Sequence, residues 1–269
     1  MSMQANTLPV VQLLQISDSH CYADDDTRLE WTDAEIYPNR SLQAVLAYLV
    51  GRAAGCSALF LSGDLAQEET AATYQHMNAM LADFPLPVYA MPGNHDIPAL
   101  MHAHLNGKVS LPEKVTFGVW HCLLLDTSAP GKPDGHLGDE QFQRLESLLE
   151  SIPPEHFIAL FMHHHAVFID SAWMDVMGLQ QRERFWVLLE RFPQVRAVFN
   201  GHIHQEFSGE HTFASGVSVP VFGTPATSVQ LKPTNPVFAF DHTRPAWREI
   251  SLHPDGSVTT QVQYLTLPM

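Results

Sequence analysis

Five short apolar runs in this chain each stop at a group of Asp, Asn or His residues. The runs are the segments 10–17, Ala58–Ser62, 87–91, Phe157–Met162 and Val195–Asn200. Their length and their content of branched and aromatic residues predict buried β-strands. The segments between several of them have the apolar periodicity of helices, and this alternation predicts an α/β fold. The loops beyond the carboxyl ends of strands form the ligand crevice of an open α/β sheet. We therefore expect the polar groups to meet at one edge of the sheet.

The polar groups offer only oxygen and nitrogen donors. They are Asp18 with His20, Asp64, Asn94 with His95 and Asp96, His163, and His202 with His204. Each group alone has an ordinary structural explanation, such as a turn, a helix cap or a core histidine. Their conjunction favours a metal centre. We also expect His202 and His204 to share a face, because alternate residues of an extended segment point the same way.

A donor set without thiolate suits Mn, Fe, Zn or Co better than it suits a structural zinc site. Two such ions need a bridging anion, which an Asp carboxylate supplies well. A metal pair polarises phosphoryl oxygens and lowers the pKa of a shared water, giving hydroxide near neutral pH. His95 would then donate a proton to the leaving alkoxide. The sequence therefore predicts a two-metal hydrolase of phosphate esters.

Composition narrows the partners. The chain of 269 residues has a formal net charge of −15 and only 14 Lys and Arg, which disfavours a nucleic-acid partner. No apolar run approaches the ~20 residues that cross a bilayer, and the N-terminus lacks a signal-peptide pattern. Three cysteines at scattered spacings indicate reduced thiols. We expect a cytoplasmic protein with no membrane or nucleic-acid partner.

Other elements follow from periodicity and turn residues. Helices are expected from a cap at Asn39 to a stop at Gly55, at 71–83, at 142–149 and at 179–191. After about residue 205 the chain changes to short β-like runs, including 217–222 and 237–240. No linker or repeat interrupts the pattern. We interpret residues 1–269 as one domain with a β-rich C-terminal part.

The five polar blocks resemble those of the calcineurin-like metallophosphoesterases. That family's pattern reads Asp-x-His, Gly-Asp, Gly-Asn-His-Asp/Glu, His and Gly-His-x-His, each after a strand. The resemblance implies a four-layer αββα sandwich of two mixed β-sheets flanked by helices. It implies one metal on Asp18, His20, Asp64 and His204, and a second metal on Asp64, Asn94, His163 and His202. Asp64 would bridge the ions, His95 would be the general acid, and Asp96 would orient either that turn or a residue that supports a metal ligand.

Further segments resemble the bacterial class III 3′,5′-cyclic AMP phosphodiesterases of this family. They are the three consecutive histidines at 163–165 followed by 171–175, the block 201–206, the segment 224–233, and 245–248 ahead of 252–256. This resemblance implies hydrolysis of cyclic AMP to 5′-AMP by in-line hydroxide attack, with Fe and/or Mn as the metals and Zn or Co as alternatives. A broader activity on 2′,3′-cyclic nucleotides or glycerophosphodiesters stays open. If the protein were a non-catalytic scaffold on this fold, some metal ligands or the general acid would be missing, whereas all seven predicted metal ligands and His95 are present.

Three residues are expected to contact the substrate, namely Asn94, His165 and His204. His165 stands where many members have proline, and it either faces the substrate or supports a ligand. We interpret His164 as structural.

Two other features bear on the site. Cys21 follows a predicted ligand, and we expect its thiol to point away, as adjacent residues of an extended loop do. The segment 168–178, which contains Trp173, predicts an apolar lip. It could seat an adenine ring or contact a second copy, so a homodimer is also open.

Overall fold

The computed structural model describes residues 9–232, 234–241 and 244–266. Within them it has the strands β1 (Val11–Ile16), β2 (Ala58–Ser62), β3 (Val88–Met91), β4 (Val109–Ser110), β5 (Lys114–Phe117), β6 (Trp120–Leu125), β7 (Phe157–Met162), β8 (Val195–Asn200), β9 (Phe207–Thr212), β10 (Ser218–Gly223), β11 (Ala246–Leu252) and β12 (Val258–Tyr264). The helices are α1 (Pro38–Val50), α2 (Ala71–Leu81), α3 (Pro98–His104), α4 (Asp139–Glu150) and α5 (Arg182–Leu189), with a 3₁₀ turn at Asp175–Met177.

The strands form two six-stranded sheets, and both are mixed. The first sheet has the order β12-β11-β1-β2-β3-β4, in which β1 to β4 are parallel and β11 and β12 pair antiparallel. The second has the order β5-β6-β7-β8-β10-β9, parallel from β6 to β10 with antiparallel strands at both edges. The carboxyl ends of the parallel strands in each sheet therefore share one edge.

Four layers result from how the apolar faces are covered. Helices α1, α2 and α3 pack on the outer face of the first sheet, and α4 and α5 pack on the outer face of the second. Between the sheets, Phe161 stacks on Phe60 at 4.4 Å and on Phe199 at 4.9 Å between ring centroids. The implied αββα sandwich of two mixed sheets is confirmed.

The start and end of α1 were predicted incorrectly. The helix begins at Pro38, which suits a first turn because it lacks an N–H, so Asn39 lies inside the helix and is not its cap. The buried Asn39 side chain instead accepts from the Tyr22 N–H and donates to the Tyr22 carbonyl, each at 2.9 Å. The helix ends at Val50, where its apolar stripe ends, and not at Gly55.

The C-terminal part also departs from the prediction. The segment 237–240 is not a strand: Phe240 makes only an isolated bridge to Leu231. Strand β9 was not predicted because its sequence is largely polar, yet it pairs with β10 at the edge of the second sheet. Strands β9 and β10 extend one sheet and β11 and β12 the other, which supports treating the chain as one domain. Among the described residues, no helix is long and apolar enough to cross a bilayer.

Candidate metal centre and active site

The predicted ligands come from both sheets. Strands β1, β2 and β3 of the first sheet lead into Asp18 and His20, Asp64, and Asn94, while β7 and β8 of the second lead into His163, and His202 and His204. The candidate centre therefore lies where the carboxyl ends of the two sheets meet, and not at the edge of a single sheet as the strand pattern alone suggested.

The backbone is left-handed at five of the predicted ligands. They are Asp18, His20, Asp64, His202 and His204, with φ between 49° and 69°. Non-glycine residues seldom adopt this conformation, and such residues cluster at functional sites, where the surrounding structure holds them. The expectation of an extended segment at 202–204 is therefore wrong. Both imidazoles still face the centre, because the chain turns sharply at each histidine.

Asp18, His20 and His204 form the first group of ligand atoms. The Nε2 of His204 lies 3.2 Å from Asp18 Oδ1 and 3.1 Å from the Nε2 of His20. The Nδ1 atoms of the two rings bond to the Val229 carbonyl at 2.8 Å and to Gln67 Oε1 at 3.0 Å. Because each Nδ1 is bonded to an oxygen atom, the two Nε2 atoms are left facing each other. A cation between them would displace any proton on Nε2 and bind both rings.

Asp64 lies between the first group and a second one. Its Oδ2 is 3.8 Å from the Nε2 of His20 and 3.3 Å from the Nε2 of His163. The same His163 nitrogen is 3.2 Å from Asn94 Oδ1, and its Nδ1 bonds to the Ser62 carbonyl at 2.8 Å. Asp64 thus faces both groups, as a bridging carboxylate must.

His202 completes the second group from the side of β8. Its ring centroid lies 5.1 Å from that of His163, and its backbone N–H donates to the Asp18 carboxylate at 3.0 and 3.1 Å. Its Nε2 is buried and has no hydrogen-bond partner. One ligand atom from each of Asp18, Asp64 and His163 lies within 4.8 Å of the other two, as do those of Asp18, His20 and His204, so this cluster could hold metal ions.

Ion pairs within the cluster balance its charges. Burial alone would raise the pKa of the Asp64 carboxyl, but the neighbouring His163 lowers it well below the ordinary value. Burial disfavours the charged form of His163, yet Asp64 raises its pKa to about 9. Asp18 and His204 form a similar pair, whereas burial lowers the pKa of His20 to about 3. Metal binding to such a site displaces protons from its ligands.

Asp96 joins two of the ligand-bearing loops. Its carboxylate accepts hydrogen bonds from the backbone N–H groups of Leu65, Ala66 and Gly93 and from the Tyr74 hydroxyl. Burial and repulsion from Asp64 raise the pKa of Asp96 to about 6, although the backbone donors oppose this. These contacts tie the turn before Asn94 to the loop of Asp64, which supports the expected orienting role.

A cavity of about 400 Å³ opens beside the cluster. Its polar lining is His20, Asp64, Asn94, His95, His202 and His204, and its apolar lining is Trp31, Pro133, Trp173, Met174, Met177, Leu231 and Phe238. His95 is partly exposed, and its backbone N–H donates to Asp64 Oδ1 at 2.8 Å. Its ring lies 5.1 Å from that of His20. The general-acid candidate is thus held beside the cluster and open to a ligand.

The cavity also contains aromatic residues that were missed. Trp31 lies 4.5 Å from the ring of His20 and 5.8 Å from that of His95, and Phe238 contacts Trp173 from the opposite segment. Trp31 comes from an irregular loop without periodicity, and Phe238 lies in the run 237–240, which was predicted as β-like, so neither was assigned to the cavity. An isolated tryptophan in an acidic loop was the only available signal.

His165 and Cys21 lie outside the cavity. His165 is 1% exposed, its ring stacks behind His202 at 5.8 Å between centroids, and its Nε2 is 3.5 Å from Asp175 Oδ1. Cys21 points away from the cluster, as expected. It packs in the apolar core under the first sheet, where burial raises the pKa of its thiol.

Comparisons with known proteins agree with this arrangement. Residues 11–206 match the family described as calcineurin-like phosphoesterase. The 3′,5′-cyclic adenosine monophosphate phosphodiesterase CpdA of Vibrio vulnificus is 36% identical, over 95% of this chain and 90% of that protein. CpdA of Escherichia coli strain K12 is 34% identical, over 96% and 93%.

A solved structure shares the fold. A dimetal phosphatase from Danio rerio superposes with a TM-score of 0.65 and 14% identity, covering 94% of this chain and 98% of that one. The matched segment 11–206 contains every predicted ligand and His95. The chain belongs to the calcineurin-like phosphoesterase family.

Proposed function

We propose that this protein is a metal-dependent phosphodiesterase that hydrolyses 3′,5′-cyclic AMP to 5′-AMP. The observation that carries the proposal is the pair of imidazole Nε2 atoms of His20 and His204, 3.1 Å apart with both Nδ1 atoms bonded to oxygen acceptors. Such rings are arranged to bind a cation. The identity with the two CpdA proteins named above supports cyclic AMP as the substrate.

The proposed ligand sets follow the two groups of the cluster. Asp18, His20, Asp64 and His204 hold the first metal, and Asp64, Asn94, His163 and His202 hold the second. The oxygen and nitrogen donors suit Fe and/or Mn, with Zn or Co as alternatives. When bound, two such cations polarise the phosphoryl oxygens and lower the pKa of water at the centre.

Hydrolysis adds water across the P–O3′ bond, so that oxygen goes to phosphorus and a proton goes to O3′. In the proposed mechanism His95 supplies that proton as general acid. The hydrogen bond from the His95 backbone N–H to Asp64 fixes the position of His95 in the turn. The side chain of His95 borders the cavity. Asn94 and His204 border the same cavity and would contact the phosphate.

The apolar part of the cavity would take the base. Trp31, Trp173 and Phe238 offer aromatic surface beside the cluster, and offset or edge contacts with an adenine ring suit such surfaces. His165, buried behind His202, would support a ligand instead of contacting the substrate.

Partners and compartment are also part of the proposal. Phe168 and Val176 on the outer side of the lip are 68% and 67% exposed, which leaves that side for a homodimer contact. The net charge of −15 argues against nucleic acid. Cys21, Cys56 and Cys122 are free thiols, which fits the reducing cytoplasm.

The decisive experiment compares kcat/KM for 3′,5′-cyclic AMP, 2′,3′-cyclic AMP and a glycerophosphodiester, with metal content measured on the same sample. We expect 3′,5′-cyclic AMP to be the preferred substrate. Comparable values for all three would replace the cyclic AMP assignment with a broader activity. A Mn-loaded protein that is inactive on cyclic AMP and on bis-p-nitrophenyl phosphate would refute the enzymatic function.

A further inference from the structure

Two histidine rings, each with an unpaired nitrogen, lie side by side behind the candidate metal centre. The rings of His164 and His202 have centroids 4.7 Å apart and planes inclined by 52°. The Nε2 atom of each is buried and has no hydrogen-bond partner. An unpaired polar atom in a protein interior costs free energy, so two such neighbours require an explanation.

The other side of His164 is held in place. Its Nδ1 lies 2.8 Å from Thr127 Oγ1. Gly135 packs against the ring so closely that a Cβ there would lie 2.6 Å from His164 Cγ. A ring that donates its Nδ1 proton to Thr127 and is confined by Gly135 presents the lone pair of Nε2 as a buried acceptor.

His202 has the complementary requirement. Its side chain lines the cavity while its Nε2 is buried, so Nδ1 is the nitrogen available to a metal. A neutral imidazole that gives one lone pair to a metal carries its proton on the other nitrogen. The buried Nε2 of a metal-bound His202 is therefore a donor, and the ring of His164 lies next to it, with the two ring centroids 4.7 Å apart.

We propose that His164 is a positioning residue for the second metal, accepting a hydrogen bond from His202 Nε2–H. The bond would select the His202 tautomer whose Nδ1 lone pair faces the cluster and would hold the ring there. This inference rests on the proposed role of His202 as a ligand, but it does not depend on the substrate. It gives His164 a role that the cavity lining does not reveal.

The test uses the full chain stripped of metal and two variants of one residue. His164→Leu replaces the ring by an apolar side chain of similar bulk and so removes the acceptor. His164→Gln offers an amide oxygen near the position of Nε2. Stepwise affinities for Mn²⁺ and Co²⁺ are measured by chelator competition, together with the Co²⁺ absorption spectrum. These readouts require neither substrate nor turnover.

We expect His164→Leu to lower the affinity for the second metal by about 10–100-fold, since loss of a hydrogen-bond partner of a metal ligand has effects of that size. The absorption bands of Co²⁺ bound at that site should also change. The first metal should bind as in the wild type. His164→Gln should recover most of the loss. His121→Leu is the matched control, because His121 is also a buried histidine with ring hydrogen bonds but lies on β6 away from the cluster. It should leave both metals unchanged.

Three results would overturn the inference. The first is wild-type affinity and spectrum in His164→Leu, and the second is an equal loss in His164→Leu and His164→Gln, which would indicate packing alone. The third is detection of three directly coordinated imidazoles at the second metal by pulsed EPR, because His163, His164 and His202 also lie close enough to share one ion. Inactivity on cyclic AMP with the expected metal results would refute only the proposed function.

Discussion

Single residues around the cluster are constrained by how closely the loops approach each other. At Gly93 a Cβ would overlap the carboxylate Oδ1 and the backbone N–H of Asp64. Only a hydrogen atom fits there, so glycine is required by the contact and not by a positive φ. The Pro-Gly turn that the sequence contains before Asn94 is therefore what lets the loops from β2 and β3 bring their side chains together.

The substitution Gly93→Ala tests this contact. The added methyl group would displace Asp64, so we expect weaker binding of both metals and a loss of roughly 10²-fold in kcat, the size that a misplacement of about 1 Å produces. Gly51→Ala is the control, since its nearest contact would be an ordinary 3.5 Å at φ −69°. It should be neutral or stabilise by ~0.4–1 kcal/mol. Wild-type metal binding in Gly93→Ala would contradict the argument.

The proposed proton donor can be separated from the ligands at the same scale. For His95→Ala we expect kcat on cyclic AMP to fall by ~10²–10⁴-fold with metal content unchanged, because in the proposed mechanism the ring donates a proton and is not a metal ligand. His102→Ala, an exposed histidine on α3, should keep full activity. A parallel loss of metal in His95→Ala would show that this residue is a ligand.

Among the elements, strands whose apolar character is continuous were predictable and polar ones were not. Strands β1, β2, β3, β7 and β8 are almost fully buried, and each appears in the sequence as a short apolar run. Edge strand β9 alternates partly buried and exposed residues, and α3 has only seven residues, too few for a clear period. The strands that lead into the proposed ligands are continuously apolar, because helices cover one face of their sheet and the opposite sheet covers the other face.

Strand β6 carries a pH-sensitive contact. Burial, with His156 at 2.9 Å, lowers the pKa of His121 below its ordinary 6.5. The unfolded chain therefore takes up this proton before the folded one, so the associated stability is present above about pH 6.5 and is lost as pH falls below that value towards the lower pKa of the folded state. We expect urea unfolding to show a steeper loss from pH 7.5 to 5.5 in the wild type than in His121→Gln. Equal slopes would exclude His121 as the cause.

At the scale of the whole molecule, Arg248 connects the two sheets. This residue of β11 is 1% exposed, and its guanidinium donates to Thr260 in β12 and to the Gly223 carbonyl and Thr224 hydroxyl of the second sheet. Burial lowers its pKa to about 10, so it remains charged at neutral pH. A planar group with five donors can serve these separate acceptors at once.

Replacing this residue should weaken the joint between the sheets. Lys has one nitrogen and cannot reach the same acceptors, so we expect Arg248→Lys to lower the free energy of unfolding by about 3 kcal/mol. Arg196→Lys, at an exposed position of β8, should change it by no more than ~0.5 kcal/mol. Chemical denaturation of both variants checks this, and similar stabilities would contradict the role of Arg248.

The amino-acid sequence by itself determined the strand-then-ligand pattern, and with it the identity of the proposed metal ligands and of His95. That was possible because a buried strand must be apolar and the residue after it is free to be polar. Only the tertiary structure decided which sheet each ligand comes from, that Trp31 and Phe238 line the cavity, and that His164 lies behind His202. These contacts join segments far apart in the chain, and no local periodicity encodes such a distance.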